Sequence, residues 1–134
     1  MRLFAGLRAV VLACLALPAD AKPVRSSLYS SVRYVEEAGD DVGMEIRIHA
    51  GAKAWIDFVD CEGQCFPQVR LPITLTPKGF TFVYRESVVD QDGKPAPDIV
   101  MPFVATYEGA NLIVRTKGAP SEKLRPIRKA IALQ

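Results

Sequence analysis

Histidine is nearly missing from this chain, and its scarcity excludes several kinds of active site. His49 is the only histidine among 134 residues, so a metal site with two histidine ligands is excluded and a Ser-His-Asp triad has one candidate. The GxSxG elbow, the HExxH zinc motif and a phosphate-binding glycine loop are also missing. We interpret His49 as an exposed histidine on the polar face of a strand. The sequence therefore predicts a non-catalytic protein with no metal and no cofactor.

Long apolar runs and an excess of charge are missing as well. The apolar run Ala9 to Leu17 has nine residues, whereas a helix needs about 20 to cross a bilayer. With Arg2 and Arg8 in front and the small-x-small site Ala19-Asp20-Ala21 behind, residues 1–21 are predicted to be a secretory signal peptide. Its removal lowers the formal net charge from +2 to +1. A nearly neutral chain gives no electrostatic case for binding nucleic acid.

The predicted leader places residues 22–134 in the periplasm or outside the cell as a single domain. One alternative stays open, because Val11-Leu12-Ala13-Cys14 is similar to the lipobox of bacterial lipoproteins and would leave Cys14 lipidated. Only five apolar residues separate Arg8 from this cysteine, and the apolar run continues past it. Soluble export without a transmembrane segment is therefore the preferred interpretation.

Cleavage after Ala21 would leave two cysteines, Cys61 and Cys65, with three residues between them. A zinc site would need four ligands, and only His49 could join the pair before Asp or Glu had to complete it. A redox pair would need a depressed thiol pKa, commonly from a helix N-terminus, but two prolines occur in the next seven residues. A disulfide across a tight turn, with Gly63 at positive φ, is the preferred interpretation.

Short alternating segments separated by turn residues are typical of an all-β domain. Residues 42–49 show the cleanest alternation, with an apolar face and a face predicted to be solvated that carries Glu45. The stretch 87–98 is predicted to be irregular. Residues 118–134 form a basic tail, either flexible or holding a last strand near 123–128 or a short helix after Pro126. The other strands are predicted at 28–36, 54–61, 68–76, 79–86, 99–107 and 111–116.

Seven or eight short strands in up-and-down order predict an antiparallel barrel or half-barrel, with a two-sheet β-sandwich as the alternative. This order resembles the lipocalin-like barrels in architecture only, because their Gly-x-Trp start motif is missing here. No residue motif points to a named family.

Two polar segments are candidate sites that have simpler interpretations. Asp90-Gln91-Asp92-Gly93 begins like a calcium loop, but an EF-hand would need glycine and glutamate where the chain has Pro95 and Met101. Turn chemistry explains this segment better. The basic C-terminal region could attract anionic envelope surfaces or an acidic partner, although a solvated tail is the simpler expectation.

The expected function is the non-catalytic binding of a small apolar ligand in the mouth of the barrel. The alternative is an envelope protein-interaction module, an inhibitor or an assembly accessory, acting through loop 87–98 or a strand edge. A hydrolase relying on His49 or turn carboxylates is a distant third. Most aromatics of so small a domain belong in its core, and those that could line a pocket are Tyr34, Trp55, Phe82, Tyr84 and Phe103.

Overall fold

The computed structural model describes residues 27–134, which form ten β-strands and no helix. The predicted signal peptide, its cleavage site and Cys14 lie outside the described residues. The strands are β1 (Ser27–Ser30), β2 (Arg33–Val35), β3 (Asp40–His49), β4 (Trp55–Gly63), β5 (Val69–Pro72), β6 (Thr74–Thr76), β7 (Gly79–Val89), β8 (Pro95–Glu108), β9 (Asn111–Thr116) and β10 (Glu122–Pro126).

These strands belong to one antiparallel sheet that curls into a nearly closed barrel. The neighbour order is β5-β4-β3-β1-β10-β9-β8-β7-β6, and β2 pairs with β3 beside this path. The two edge strands, β5 and β6, follow one another in the chain with only Ile73 between them, and β5 also contacts β7. The predicted all-β barrel or half-barrel is confirmed, and the sandwich alternative is not the architecture that forms.

Aromatic and aliphatic side chains fill the inside of the barrel. On β3 and β4, Ile46 lies opposite Phe58 and Ile48 lies opposite Ile56, as the period of two predicts. The ring of Phe58 lies 5.4 Å from that of Phe82 and 5.9 Å from that of Phe103, measured between centroids. A barrel of this width is filled by its own side chains rather than forming a pore.

The C-terminal tail covers the outer face of β3 and β4. Val59 and Cys61 face outward on β4 yet are only 2 % exposed, because Leu133 packs against them. Both faces of β4 are therefore covered, the inner face by the barrel core and the outer face by the tail. The prediction of a solvated Glu45 is wrong, because the tail reduces its exposure to 0 %.

Two predicted strands are each divided in the observed sheet. The first strand divides into β1 and β2, because the Ser31 hydroxyl accepts the Met44 N–H at 3.0 Å and interrupts the ladder. The predicted strand 68–76 divides at Ile73, and its halves lie at opposite edges of the sheet. Pro72 ends edge strand β5, where its missing N–H interrupts no inner ladder.

The long hairpin of β7 and β8 corrects the prediction of an irregular stretch at 87–98. Only residues 90–94 form a turn, in which Asp90 Oδ1 accepts the N–H groups of Asp92 and Lys94 at 2.9 Å. Strand β9 pairs with β8 only from Phe103 onward. The prolines that precede Phe103 in β8 therefore lie where β8 has only β7 as a partner, so no ladder to β9 is broken by the N–H groups that prolines lack.

The last strand replaces the helix alternative for the tail. Strand β10 lies inside the sheet, between β1 and β9, and Leu124 on its inner face is 0 % exposed. Of the three options for the tail, namely a flexible segment, a strand near 123–128 or a short helix after Pro126, the structure shows the strand, at Glu122–Pro126.

Candidate binding site at the barrel mouth

Four inward-facing carboxylates surround one end of the barrel, which we call the mouth. Asp60 and Glu62 continue the inner face of β4 beyond Phe58, because residues two apart in a strand point the same way. On β7, Glu86 follows Tyr84 by two positions and lies opposite Ile99. Strand β10 adds a carboxylate in the same manner, two residues before buried Leu124. The mouth is thus defined by Asp60, Glu62, Glu86 and Glu122.

Electrostatic coupling shows that these carboxylates share one space. The pKa of Asp60 is raised to about 6, chiefly by burial and then by the charges of Glu62, Glu122 and Glu86, while a backbone hydrogen bond at Cys61 opposes the rise. Burial also raises the pKa of Tyr84, with Glu86 and Asp60 adding to the effect. Negative groups from three strands therefore repel one another here, and a cation placed among them would be stabilised.

A recess beside the mouth exposes three of the four carboxylates, those of Asp60, Glu62 and Glu122. Its wall is held by Ser31, whose hydroxyl donates a hydrogen bond to Glu122 and accepts the Met44 N–H. This contact depends on Gly43, since a Cβ there would lie 2.6 Å from the Ser31 carbonyl oxygen. The close approach of the two backbones thus fixes one side of the mouth.

The aromatic candidates from the sequence separate into two groups. Phe82, Tyr84 and Phe103 meet inside the barrel around Phe58, where Tyr84 makes an edge contact at 5.5 Å and Phe82 stacks on Phe103 at 4.9 Å. Tyr34 on β2 is 62 % exposed on the outside. Trp55 also lies outside, because it is one residue out of phase with inward-facing Ile56. Only the first group lies below the mouth.

Trp55 belongs to a polar cluster that joins β3, β4 and β5. Its indole ring stacks on His49 at 3.6 Å, and the Arg70 guanidinium carbon lies 3.6 Å from the ring centroid. The buried Asp57 carboxylate lies 2.9 Å from His49 Nε2 and 3.4 Å from Arg70 Nε. His49, which was predicted to be exposed, is thus fixed by stacking on Trp55 and by the Asp57 carboxylate. It connects β3 to β4.

The Cys61 and Cys65 sulfurs form a disulfide, with an S–S distance of 2.12 Å and with Gly63 at φ +90° in the loop between them. The glycine conformation is the predicted one. Leu133 of the tail packs over this loop. A formed disulfide suggests the oxidising, exported environment that the leader also predicts.

Glu45 anchors the tail that covers the disulfide. Its carboxylate accepts the N–H groups of Ile131 and Leu133 at 3.1 Å and that of Ala132 at 3.2 Å. The Ser30 hydroxyl donates a fourth hydrogen bond at 3.0 Å. A fully buried carboxylate is thereby surrounded by donors rather than by other charges.

The four mouth carboxylates were missed at the level of sequence, although a signal for them exists. Asp60 lies two residues after Phe58, and Glu86 lies four after Phe82, so each continues an inward-facing set. A strand whose inner face changes from apolar to acidic near one end marks a polar rim on the barrel. Recognising that rim also requires knowing which strand ends meet, and the sheet order supplies this.

No protein-family model, curated protein or solved structure matches this chain. Residues 27–134 contain no helix with the length and apolarity needed to cross a membrane. Within the same residues, no group of three or more His, Cys, Asp or Glu side chains could hold a metal ion. Function must therefore be inferred from the geometry of the mouth and the outer surfaces.

Proposed function

We propose that this protein is a non-catalytic binding domain, exported to the periplasm or the cell exterior, whose mouth holds a small ligand with an apolar body and a cationic group. The observation that supports this proposal is that the inner face of the barrel is aromatic around Phe58 and Tyr84 and becomes acidic at Asp60 and Glu86, toward the mouth. Aromatic faces and carboxylates together favour a cation, especially a weakly hydrated one such as an alkylated ammonium.

The packing of the interior supports a site at the mouth rather than deep in the barrel. Four surface cavities lie at strand ends, loops and the tail, and none of these four is lined by Phe58, Phe82 or Phe103. The expected apolar ligand would thus meet Tyr84 and the edge of the aromatic cluster, while its charged group stays among the carboxylates. A cationic group there would reduce the repulsion that raises the pKa of Asp60.

Titration with matched probes tests this function. Hexyltrimethylammonium should bind, and hexyl sulfate and hexanol should bind more weakly, as followed by chemical-shift changes of backbone amides in β4 and β7. The double variant Asp60→Asn/Glu62→Gln should weaken binding of the cationic probe about tenfold or more, because it removes the Coulomb attraction of two partly desolvated carboxylates. The control Glu36→Gln/Glu37→Gln removes two carboxylates from the exposed β2–β3 turn and should leave binding unchanged. Equal binding of hexanol and the cation would contradict a cationic ligand.

A free strand edge supports a second candidate, a protein-interaction module. Strand β6 pairs with β7 only from Gly79 to Thr81, so residues 82–89 have a hydrogen-bonded partner strand only on the β8 side within the described chain. Val83 and Val89 on this edge are 43 % and 65 % exposed. An extended segment of an envelope protein could add itself as a strand here.

Site-specific photocrosslinking in cells tests this second candidate. A photoreactive residue at Ser87, on the free edge, should capture a discrete partner, whereas one at the exposed Asp92 in the hairpin turn should capture less. Equal or no capture at both positions would contradict a partner at the edge.

A further inference from the structure

Five cations share the outer wall formed by β1, β2, β3, β10 and the start of the tail, which we call the basic wall. Lys123 and Arg125 flank Leu124, whose inward burial turns both of them outward. Arg47 likewise lies between inward-facing Ile46 and Ile48. The basic wall is defined by Arg33, Arg47, Lys123, Arg125 and Arg128.

Two adjacent grooves of the wall show that these cations lie close together. One groove is lined by Arg33, Lys123 and Arg125, and the other by Arg47 and Arg128. Ile127 lines both, so the grooves meet at this residue. Neither groove is lined by an Asp or a Glu.

None of the five cations forms an ion pair with a carboxylate of residues 27–134. Ion pairs of residues 27–134 engage His49 and Arg70 with Asp57, and Arg115 with Glu108, and none includes a residue of the basic wall. Glu45, the carboxylate that β3 places on this outer face, is buried under the tail and bonded to its N–H groups. The two grooves therefore present positive charge without a carboxylate of their own. At their borders, Arg33 and Lys123 also line the recess that holds Asp60, Glu62 and Glu122, and Arg47 lies opposite Asp57.

Apolar side chains lie among these charges. Ile131 is 62 % exposed and lines the same groove as Lys123 and Arg125, and Ile127 is half-buried between the two grooves. The tail cannot turn Ile131 inward, because the Ile131 N–H is bonded to Glu45. Cations around an exposed aliphatic residue match the interfacial zone of an anionic bilayer, where headgroups meet the first acyl carbons.

We propose that the basic wall docks the protein on the surface of an anionic lipid bilayer, independently of what the mouth binds. The bilayer neutralises the five cations and covers Ile131, so one surface satisfies both features. A nucleic acid backbone would match the charge alone. Asp60, Glu62 and Glu122 share a recess with Arg33 and Lys123 at one border of the wall. The grooves that hold Arg47, Arg125 and Arg128 contain no carboxylate, so this part of the wall can approach an anionic surface.

Vesicle co-sedimentation tests the proposal with a matched pair of charge reversals. The purified protein should sediment with vesicles of equal parts phosphatidylglycerol and phosphatidylcholine, and not with phosphatidylcholine alone, with binding falling as salt is raised. The variant Lys123→Glu/Arg125→Glu/Arg128→Glu should lose binding, since each cation near such a surface changes the affinity about fivefold. The control Lys53→Glu/Lys78→Glu/Lys94→Glu makes the same change in net charge at exposed positions away from the wall and should bind as the parent does.

Residues 1–26 are the same in all of these proteins, so any membrane affinity of the leader contributes equally. Thermal melting by circular dichroism checks that each variant folds, and replacement of the same three cations by Gln provides a milder version that should also lose most of its binding. Ile131→Ser should weaken binding severalfold without changing its dependence on salt.

Equal loss in the control triple variant would overturn the proposal, because net charge alone would then explain the binding. Binding to pure phosphatidylcholine that resists salt would overturn it as well. Failure to bind the anionic vesicles, together with capture of a polyaspartate peptide through the same three cations, would reassign the wall to an acidic protein.

Discussion

Glu45 and Asp60 lie on neighbouring strands, on opposite faces of one sheet, and differ in what surrounds each carboxylate. Glu45 is 0 % exposed but accepts three backbone N–H groups and one hydroxyl. Asp60 is only partly buried, and it faces three other carboxylates that help to raise its pKa to about 6. Whether a buried carboxylate stabilises the fold thus depends more on the hydrogen-bond donors around it than on how deeply it is buried.

The largest expected effect comes from removing the carboxylate that has donors. Glu45→Ala leaves three backbone N–H groups without an acceptor, that of Leu133 buried and those of Ile131 and Ala132 part-buried, and should lower the free energy of unfolding by about 3 kcal/mol. Urea denaturation measures this, and carboxypeptidase digestion should show that residues 130–134 become accessible. The matched control Glu37→Ala, on an exposed turn, should change stability by less than about 0.5 kcal/mol. A loss no greater than that of the control would mean that the tail does not depend on Glu45.

The disulfide under the same tail should contribute less. Cys61→Ser/Cys65→Ser opens a loop of five residues, for which the loss of chain entropy in the unfolded state predicts about 2 kcal/mol. The protein should remain folded and melt at a lower temperature. Combined with Glu45→Ala, the losses should not add, because Leu133 connects both sites. Strict additivity would show that the two supports are independent.

Asp60→Asn should act in the opposite direction. Because the folded pKa of about 6 exceeds the ordinary 3.8, the folded protein binds the Asp60 proton more tightly than the unfolded chain does. This carboxylate therefore lowers stability as pH rises from about 4 to above 6, and the loss is complete at neutral pH. The variant should gain about 1 kcal/mol at pH 7, after allowance for solvent screening, and nothing below pH 4.

Urea denaturation of the parent and of Asp60→Asn at both pH values measures this gain. Asp98→Asn removes an exposed carboxylate from the long hairpin and should give no comparable gain. A loss of stability at pH 7 would show that Asp60 has a stabilising partner in the folded protein.

The smallest expected effect concerns Asp57, a buried carboxylate whose partners are side chains. Arg70→Gln removes an exposed partner and its stacking on Trp55, while His49 remains at 2.9 Å. We expect a loss of about 0.5 kcal/mol, measured by urea denaturation. A loss approaching that of Glu45→Ala would mean that Asp57 depends on Arg70 rather than on His49.

The sequence was sufficient wherever the period of two was uninterrupted. It predicted the apolar face of β3, the glycine of the disulfide loop and the strands 99–107 and 111–116, because each depends on neighbours in the chain. The burial of Glu45 could not be predicted, since its donors lie 86 to 88 residues away. The mouth was missed for the same reason, because its carboxylates come from strands that only the sheet order brings together.

Ile73, the single residue between the two edge strands, limits how the barrel can open. Pro72 is paired to Trp55 and Thr74 to Thr81, so the Cα atoms of Pro72 and Thr74 can never be more than about 7 Å apart. This covalent link lies at the end of β4 away from Asp60 and Glu62. If β5 and β6 separate, the gap between them must therefore be widest at the mouth. Fast amide hydrogen exchange should accordingly be concentrated at the mouth end of β7.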